Sequence, residues 1–288
     1  MGVHITAISR YLPERIMTNN DLSKIVDTSD EWIRTRTGIK ERRIANPEES
    51  TSTLAIKAAE KIISSKNLNP EEIDLIIVST MMGDSPFPSV ACKVQNSIGA
   101  SNAGAFDISA ACSGFVYALE TAAQFVQNGY IQKALVIGSE VFSRFLDWED
   151  RSTCVLFGDG AGAALLENTS DNTFYGGVLK SDGSGREMLY MPGGGTVHPT
   201  SLETVQDNKH VLKMKGLELF QSVVPIVCDV IFETCEKTGV GIEEIDLIIP
   251  HQANVHIIEQ VANTMDIPLN KFFINIENYG NTSAASIP

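Results

Sequence analysis

Three residues of unlike chemistry, Cys112, His251 and Asn281, each follow a β-prone run of the chain. A cysteine can supply a nucleophile, a histidine a base or hydrogen-bond donor, and an asparagine a neutral donor. Cys112 lies in AFDISAACSGFVYALETAAQFVQNG. There Phe106 and Ile108 give way to small residues, and these to a nearly all-round apolar helix: Phe115, Val116, Leu119, Ala122, Ala123, Phe125 and Val126. A helix without a polar face is expected to be buried. Cys112 is thus expected where a strand meets a buried helix, with unpaired N–H groups and the helix dipole lowering its pKa. Each residue also has a plainer reading. Free cysteines are commonly buried, a histidine after a strand commonly holds structure, and an asparagine before Thr and Ser commonly caps a turn.

A repeat supplies the elements that would position them. EEIDLII occurs at 71–77 and again at 243–249. Each copy follows a helix-like segment, 53–65 in the first case and one ending near Lys237 in the second. Each precedes a loop, a further helix-like segment (89–97 and 255–265) and another β-prone run (105–109 and 272–276). This alternation predicts a duplicated α/β unit, residues 1–170 and 171–288, each with a mixed, mainly parallel sheet covered by helices. In such sheets ligands gather at the carboxyl ends of strands. The first half delivers Cys112 there. The second delivers His251, directly after its EEIDLII, and Asn281, expected close to the counterpart of Cys112 across a pseudo-twofold axis.

Composition narrows the function. An apolar fraction of 43%, a charged fraction of 20% and no long apolar run describe a globular chain that does not insert in a membrane. A net charge of −14 argues against nucleic-acid binding. Five scattered cysteines lack metal-type spacing and imply free thiols in a reducing, cytoplasmic setting. An anionic substrate would need a local basic patch, and Arg34, Arg36, Lys40, Arg42 and Arg43 form one in the sequence. Trp32 stands just before it, and an aromatic beside arginines can sandwich a flat ring such as adenine.

Five stretches together resemble the β-ketoacyl-[acyl-carrier-protein] synthase III family of the thiolase-like superfamily. They are DTSDEWIRTRTGIKER (27–42), FDISAACSGF (106–115), FGDGAGAALL (157–166), PHQAN (250–254) and GNTSAAS (280–286). GDGAGA precedes an apolar strand-like run, so it is not a dinucleotide fingerprint. The resemblance implies an αβαβα layered fold, a homodimer and a Cys112–His251–Asn281 triad. It implies condensation of a short acyl-CoA, typically acetyl-CoA, with malonyl-acyl carrier protein, initiating type II fatty acid synthesis without metal or organic cofactor. It further implies that Trp32, Arg36 and Arg151 hold the CoA nucleotide, and that Gly216 and Asn254 line the pantetheine tunnel. By the same resemblance Phe142, Phe157 and Leu189 wall the acyl pocket, and Phe87 reaches into that of the partner subunit. Bulky Phe142 favours a short acyl chain.

Carrier-protein docking would fall to Lys213, Lys215, Phe220, Gln252 and His256. Gln221 and His256 stand where family members often carry basic residues. Family members also continue past GNTSAAS with the rest of a buried helix and two strands, so the resemblance implies a chain that stops short. Two other readings stay open at this point: a related CoA-thioester synthase of polyketide type, and an inactive homologue that only binds or dimerises. A 3-hydroxy-3-methylglutaryl-CoA synthase is disfavoured, because no glutamate lies between Val78 and Phe106.

Overall fold

A computed structural model describes residues 2–288. Its centre is a five-stranded sheet made of β1 (Gly2–Tyr11), β2 (Leu75–Ser79), β3 (Gly104–Ile108), β4 (Lys133–Glu140) and β5 (Gly160–Thr169). The spatial order is β1-β5-β4-β2-β3. β4, β2 and β3 run parallel, while β5 is antiparallel to both β1 and β4. The first EEIDLII forms the core of this sheet, with Ile77 opposite Phe106 on one side and Val136 on the other.

Alternation along these strands builds three layers. Ile76, Val78, Leu135, Ile137, Ala163 and Leu165 face one way, onto α2 (Thr51–Lys66) and α3 (Val90–Ile98). Leu75, Ile77, Ala134, Val136, Ala164 and Leu166 face the other way, onto α4 (Gly114–Gln127). The small residues that open β5 allow close approach on both faces: Ala161 and Ala163 pack with α2 and α3, and a Cβ at Gly162 would stand 2.5 Å from Pro288. Ends are defined chemically. Ser50 and Thr53 make a reciprocal capping box at α2, Ser89 caps α3, and Gly99 ends α3 in the left-handed region. Remaining long helices are α1 (Asp30–Thr37), α5 (Gly216–Thr238) and α6 (Val255–Thr264). Among the described residues, no helix is long and apolar enough to cross a membrane.

Two expectations are corrected. α4 is buried along one face only: Phe115, Ala118, Ala122, Ala123 and Val126 are buried, whereas Val116 and Phe125 are 38% and 36% exposed. The second EEIDLII does not build a second sheet. Its Ile248 makes a single parallel bridge to Phe272, through Ile248 N–H to Lys271 O (2.7 Å) and Phe273 N–H to Ile248 O (2.8 Å). The run at 272–276 then turns into the short helix Ile276–Tyr279.

Candidate active site

Cys112 sits in a tight 3-10 turn, Ala111–Ser113, between the end of β3 and the start of α4. Ala111 is held at φ +51°, a left-handed value that costs a residue with a Cβ about 1–3 kcal/mol. Gly114 follows because nothing larger fits; a Cβ there would stand 2.0 Å from Ser79 Oγ. The GNTSAAS segment folds the same way. Ser283–Ala285 form a 3-10 turn opened by Ser283 at φ +50°. The two turns pack together, and the Ser283 hydroxyl donates to Cys112 Sγ at 3.7 Å. Matching the turns at their positive-φ residues pairs Cys112 with Ala284 and Asn281 with Ser109. The strict counterpart of Cys112 is therefore Ala284, and Asn281 lies close before it in the same segment.

Asn281 is buried and held at three points. Its N–H donates to Leu156 O (2.8 Å), its carbonyl accepts from Gly158 N–H (3.0 Å), and its Oδ1 accepts from Ser283 N–H (2.9 Å). Fixing Oδ1 leaves the amide NH2 as the end that can serve a ligand. His251 Nδ1 lies 2.6 Å from Ser286 Oγ, which also receives the Gln252 N–H at 3.4 Å. With that N–H filling one acceptor site, the Ser286 hydroxyl can donate to Nδ1, the tautomer that keeps the proton on Nε2. Nε2 itself is buried and has no protein partner. A buried ring nitrogen without a partner calls for an explanation, and a ligand atom would supply one. Burial lowers the His251 pKa to about 4, so the ring is neutral.

The Cys112 thiol departs from expectation. Burial pushes its pKa up, outweighing the Ser283 hydroxyl and the backbone N–H of Cys112, which pull it down. α4 begins only at Gly114, and the sulfur lies between packed turns rather than at an open helix mouth. Sequence reading also missed Ser283 and Ser286, although both stand inside the GNTSAAS motif. It missed Glu140 at the end of β4 as well. Glu140 is fully buried and accepts from Met81 N–H (2.9 Å) and Thr80 Oγ1 (3.1 Å). Burial first, and further down the charge of Cys112, raise its pKa to about 8. An acid closing the apolar run ALVIGSE was the available signal.

Phe142 and Phe157 stack with centroids 5.1 Å apart, in a buried cluster with Leu146 and Leu212 on which Met81, Met82 and Leu189 pack. Phe87 stands outside it, 83% exposed. At the other end of the site, the guanidiniums of Arg151 and Arg36 lie 4.6 and 5.9 Å from the Trp32 ring centre. Arg151 is anchored on Asp27 O at 2.9 Å. Asn254 caps α6 through His256 N–H (2.9 Å) and donates to Arg36 O (3.0 Å), so PHQAN reaches the Trp32 group. Gly216 opens α5.

The remaining sequence-predicted residues separate. Lys213 and Phe220 are half-buried and Lys215 is exposed. Gln252 is 1% exposed and fully used: its amide donates to Pro250 O and Phe273 O, and its Oε1 accepts from Asn275 N–H. That leaves it nothing to offer a docking protein. The basic cluster is also smaller than its sequence. Arg42 is wholly buried, donating to Met17 O, Asn19 Oδ1 and Val155 O, and burial lowers its pKa to about 10. Arg34 pairs with Asp30 and Lys40 with Glu277.

Comparison with known proteins identifies the family. The family models for 3-oxoacyl-[acyl-carrier-protein] synthase III and for its C-terminal part match residues 106–183 and 235–288. A β-ketoacyl-[acyl-carrier-protein] synthase III of Caldanaerobacter subterraneus is 51% identical over 98% of this chain and 86% of its own length. One from Clostridium acetobutylicum is 51% identical over 100% of this chain and 88% of its own. The crystal structure of the Aquifex aeolicus 3-oxoacyl-[acyl-carrier-protein] synthase III superposes with a TM-score of 0.92 at 49% identity, covering 100% of this chain and 88% of that one. With a thiolase-like α/β fold and relatives of this identity, the chain belongs to the β-ketoacyl-[acyl-carrier-protein] synthase III family, acyltransferases that initiate fatty acid synthesis by condensation.

Proposed function

We propose that this protein transfers a short acyl group, acetyl foremost, from CoA to Cys112 and then to malonyl-acyl carrier protein. The observation that carries the reading is the joint of the two turns. There a cysteine bonded by Ser283 shares a site with the oriented Asn281 amide and the unpartnered His251 Nε2. In the first half-reaction the Cys112 sulfur attacks the thioester carbonyl, the C–S bond to CoA breaks, and the thiol proton leaves with CoA. In the second, malonyl thioester loses carbon dioxide. The electron pair of the broken C–C bond passes into an enolate whose oxygen takes hydrogen bonds from His251 Nε2–H and the Asn281 NH2, as in an oxyanion hole. The enolate carbon attacks the acyl carbonyl, and Cys112 leaves as thiolate to be reprotonated. Two substrates sharing one nucleophile give ping-pong kinetics. The thioesters supply the activation, so no metal or organic cofactor enters.

Supporting contacts follow the same reading. Trp32, Arg36 and Arg151 receive the CoA nucleotide, with Gly216 and Asn254 along the pantetheine path. Phe142, Phe157 and Leu189 wall a short acyl pocket. Lys213, Lys215 and Phe220 meet the acidic carrier protein. The working unit is a cytoplasmic homodimer, each protomer with halves 1–170 and 171–288. The dimer is supported by the outer edge of β3, which has no neighbouring strand among the described residues, and by the exposed Phe87. Intact-mass measurement after incubation with acetyl-CoA tests the chemistry. We expect one acetyl group, mapped to Cys112 and absent from Cys112→Ser; acetyl on another residue overturns the reading.

A further inference from the structure

The ring of His256 is partly exposed, but both its nitrogens are engaged within the chain. Its Nε2 lies 2.8 Å from Thr35 O in the last turn of α1, and its Nδ1 lies 2.8 Å from Glu259 Oε2 one turn along α6. A carbonyl and a carboxylate can only accept. Both bonds are made together only when both ring nitrogens carry protons, so this geometry holds an imidazolium. The last carbonyls of a helix have no partner within the helix, and a cation there also meets the negative end of the dipole. Asn254 completes the joint by donating to Arg36 O at 3.0 Å. Gly38, which ends α1 at φ +81°, closes it: a Cβ at Gly38 would lie 2.8 Å from Val255 Cγ1. The final turn of α1 is therefore bolted to the first turn of α6, and Trp32 and Arg36 stand on the bolted helix.

We propose that His256 is a positioning residue for the nucleotide end of the acyl-CoA, setting the Trp32–Arg36–Arg151 stack through its bond to Thr35 O. The inference rests on the reading above that this stack receives CoA, and it replaces the docking role expected from the sequence. The charged groups around the ring are Glu259 on its own helix, and Arg34 and Arg36, which flank Thr35 on α1. Arg34 is paired with Asp30, and Arg36 lies over Trp32. The Thr35 carbonyl and Glu259 both favour the protonated ring over its ordinary state. As pH rises and one proton leaves, only one of the two bonds survives.

The probes are acetyl-CoA, acetyl-pantetheine (which lacks the nucleotide) and malonyl-acyl carrier protein, each assayed with the full chain. For His256→Gln we expect the KM for acetyl-CoA to rise about threefold to tenfold, the worth of a charge-assisted hydrogen bond, with kcat and both other KM values little changed. In the unmodified protein the KM for acetyl-CoA should climb as pH rises past the ordinary imidazole range, because the Thr35 carbonyl and Glu259 hold the proton on beyond it. His256→Arg should stay low and flat across the same rise. Trp32→Ala separates the two layers of the argument. If it raises the acetyl-CoA KM while His256→Gln does not, the CoA reading stands and the positioning role is overturned. If Trp32→Ala leaves that KM unchanged, the CoA reading fails and takes this inference with it. A rise in the malonyl-carrier KM alone would return His256 to docking and overturn the proposal.

Discussion

The chain holds one sequence in two surroundings. Both copies of EEIDLII begin alike. The first opens in the 3-10 turn Pro70–Glu72, with Ile73 N–H on Pro70 O; the second opens in Ile242–Glu244, with Ile245 N–H on Ile242 O. After that turn they part. Leu75, Ile76 and Ile77 are at most 7% exposed between β3 and β4, whereas Leu247 and Ile249 are 49% and 48% exposed beside a single bridge. Local sequence is enough to set a turn that closes its own hydrogen bonds. A sheet needs neighbours, and its apparent propensity is largely the packing those neighbours provide. Residue-by-residue substitution would measure the gap most directly. Ile77→Ala should cost about 2–5 kcal/mol in urea unfolding, as a cavity in a closed core. The matching Ile249→Ala should cost less than about 1 kcal/mol. Equal costs would mean that the second copy is as enclosed in solution as the first.

The two copies differ in the buried titratable group beside them as well as in cover. Next to the first copy, β4 ends in Glu140, raised to about 8; the second copy runs into His251, lowered to about 4. Both groups are kept neutral by burial, but their pH signatures oppose each other. From pH 4.5 to about 8 the native state keeps a Glu140 proton that the unfolded chain has lost, so this group makes stability fall as pH rises. Above about 8 its effect is constant. Glu140→Gln should therefore stabilise the protein at about pH 9 by roughly 5 kcal/mol and change little at pH 4.5. A loss of stability at high pH would mean that the ionised carboxylate is what the fold uses.

For His251 the sign reverses. Between about 4 and 6.5 the unfolded chain holds a proton that the native ring refuses, so its contribution is full above 6.5 and is lost as pH falls toward 4. Replacement by Gln, which keeps an amide near Ser286, should remove roughly 3 kcal/mol of that acid-side slope. Thermal unfolding at several pH values, on both variants and the parent chain, separates the two arms.

These contrasts also explain what could be read in advance. Helices at 53–65, 89–97 and 255–265 were legible because periodicity and caps are local; they are observed as Thr51–Lys66, Val90–Ile98 and Val255–Thr264. The sequence also led us to expect Cys112, His251 and Asn281 to meet; the structure bonds Cys112 to Ser283 and His251 to Ser286, on either side of the turn that follows Asn281. What failed depended on partners distant in the chain. Arg42 reads as surface charge until Met17, Asn19 and Val155 surround it, and Gln252 reads as an exposed amide until Phe273 and Asn275 take it. The thiol of Cys112 was expected to be acidic from its place before a helix, but depth of burial, which no short motif encodes, decides its direction.

The smallest expected effect tests the twin turns themselves. Ser283 and Ala111 occupy equivalent left-handed positions, φ +50° and +51°, but only Ser283 carries a hydroxyl, and it points at the Cys112 sulfur. Since alanine already holds the twin position, Ser283→Ala asks the backbone for nothing new and deletes that one bond. Losing a hydrogen bond to sulfur withdraws support from the thiolate, so iodoacetamide should alkylate Cys112 about threefold more slowly at pH 8, with unfolding free energy nearly unchanged. Acetyl transfer from CoA should slow in proportion, because both reactions begin with the same sulfur. If alkylation is unaffected, burial alone sets the reactivity of Cys112. The two turns would then be equivalent in chemistry as well as in shape, and the second would owe its place to packing.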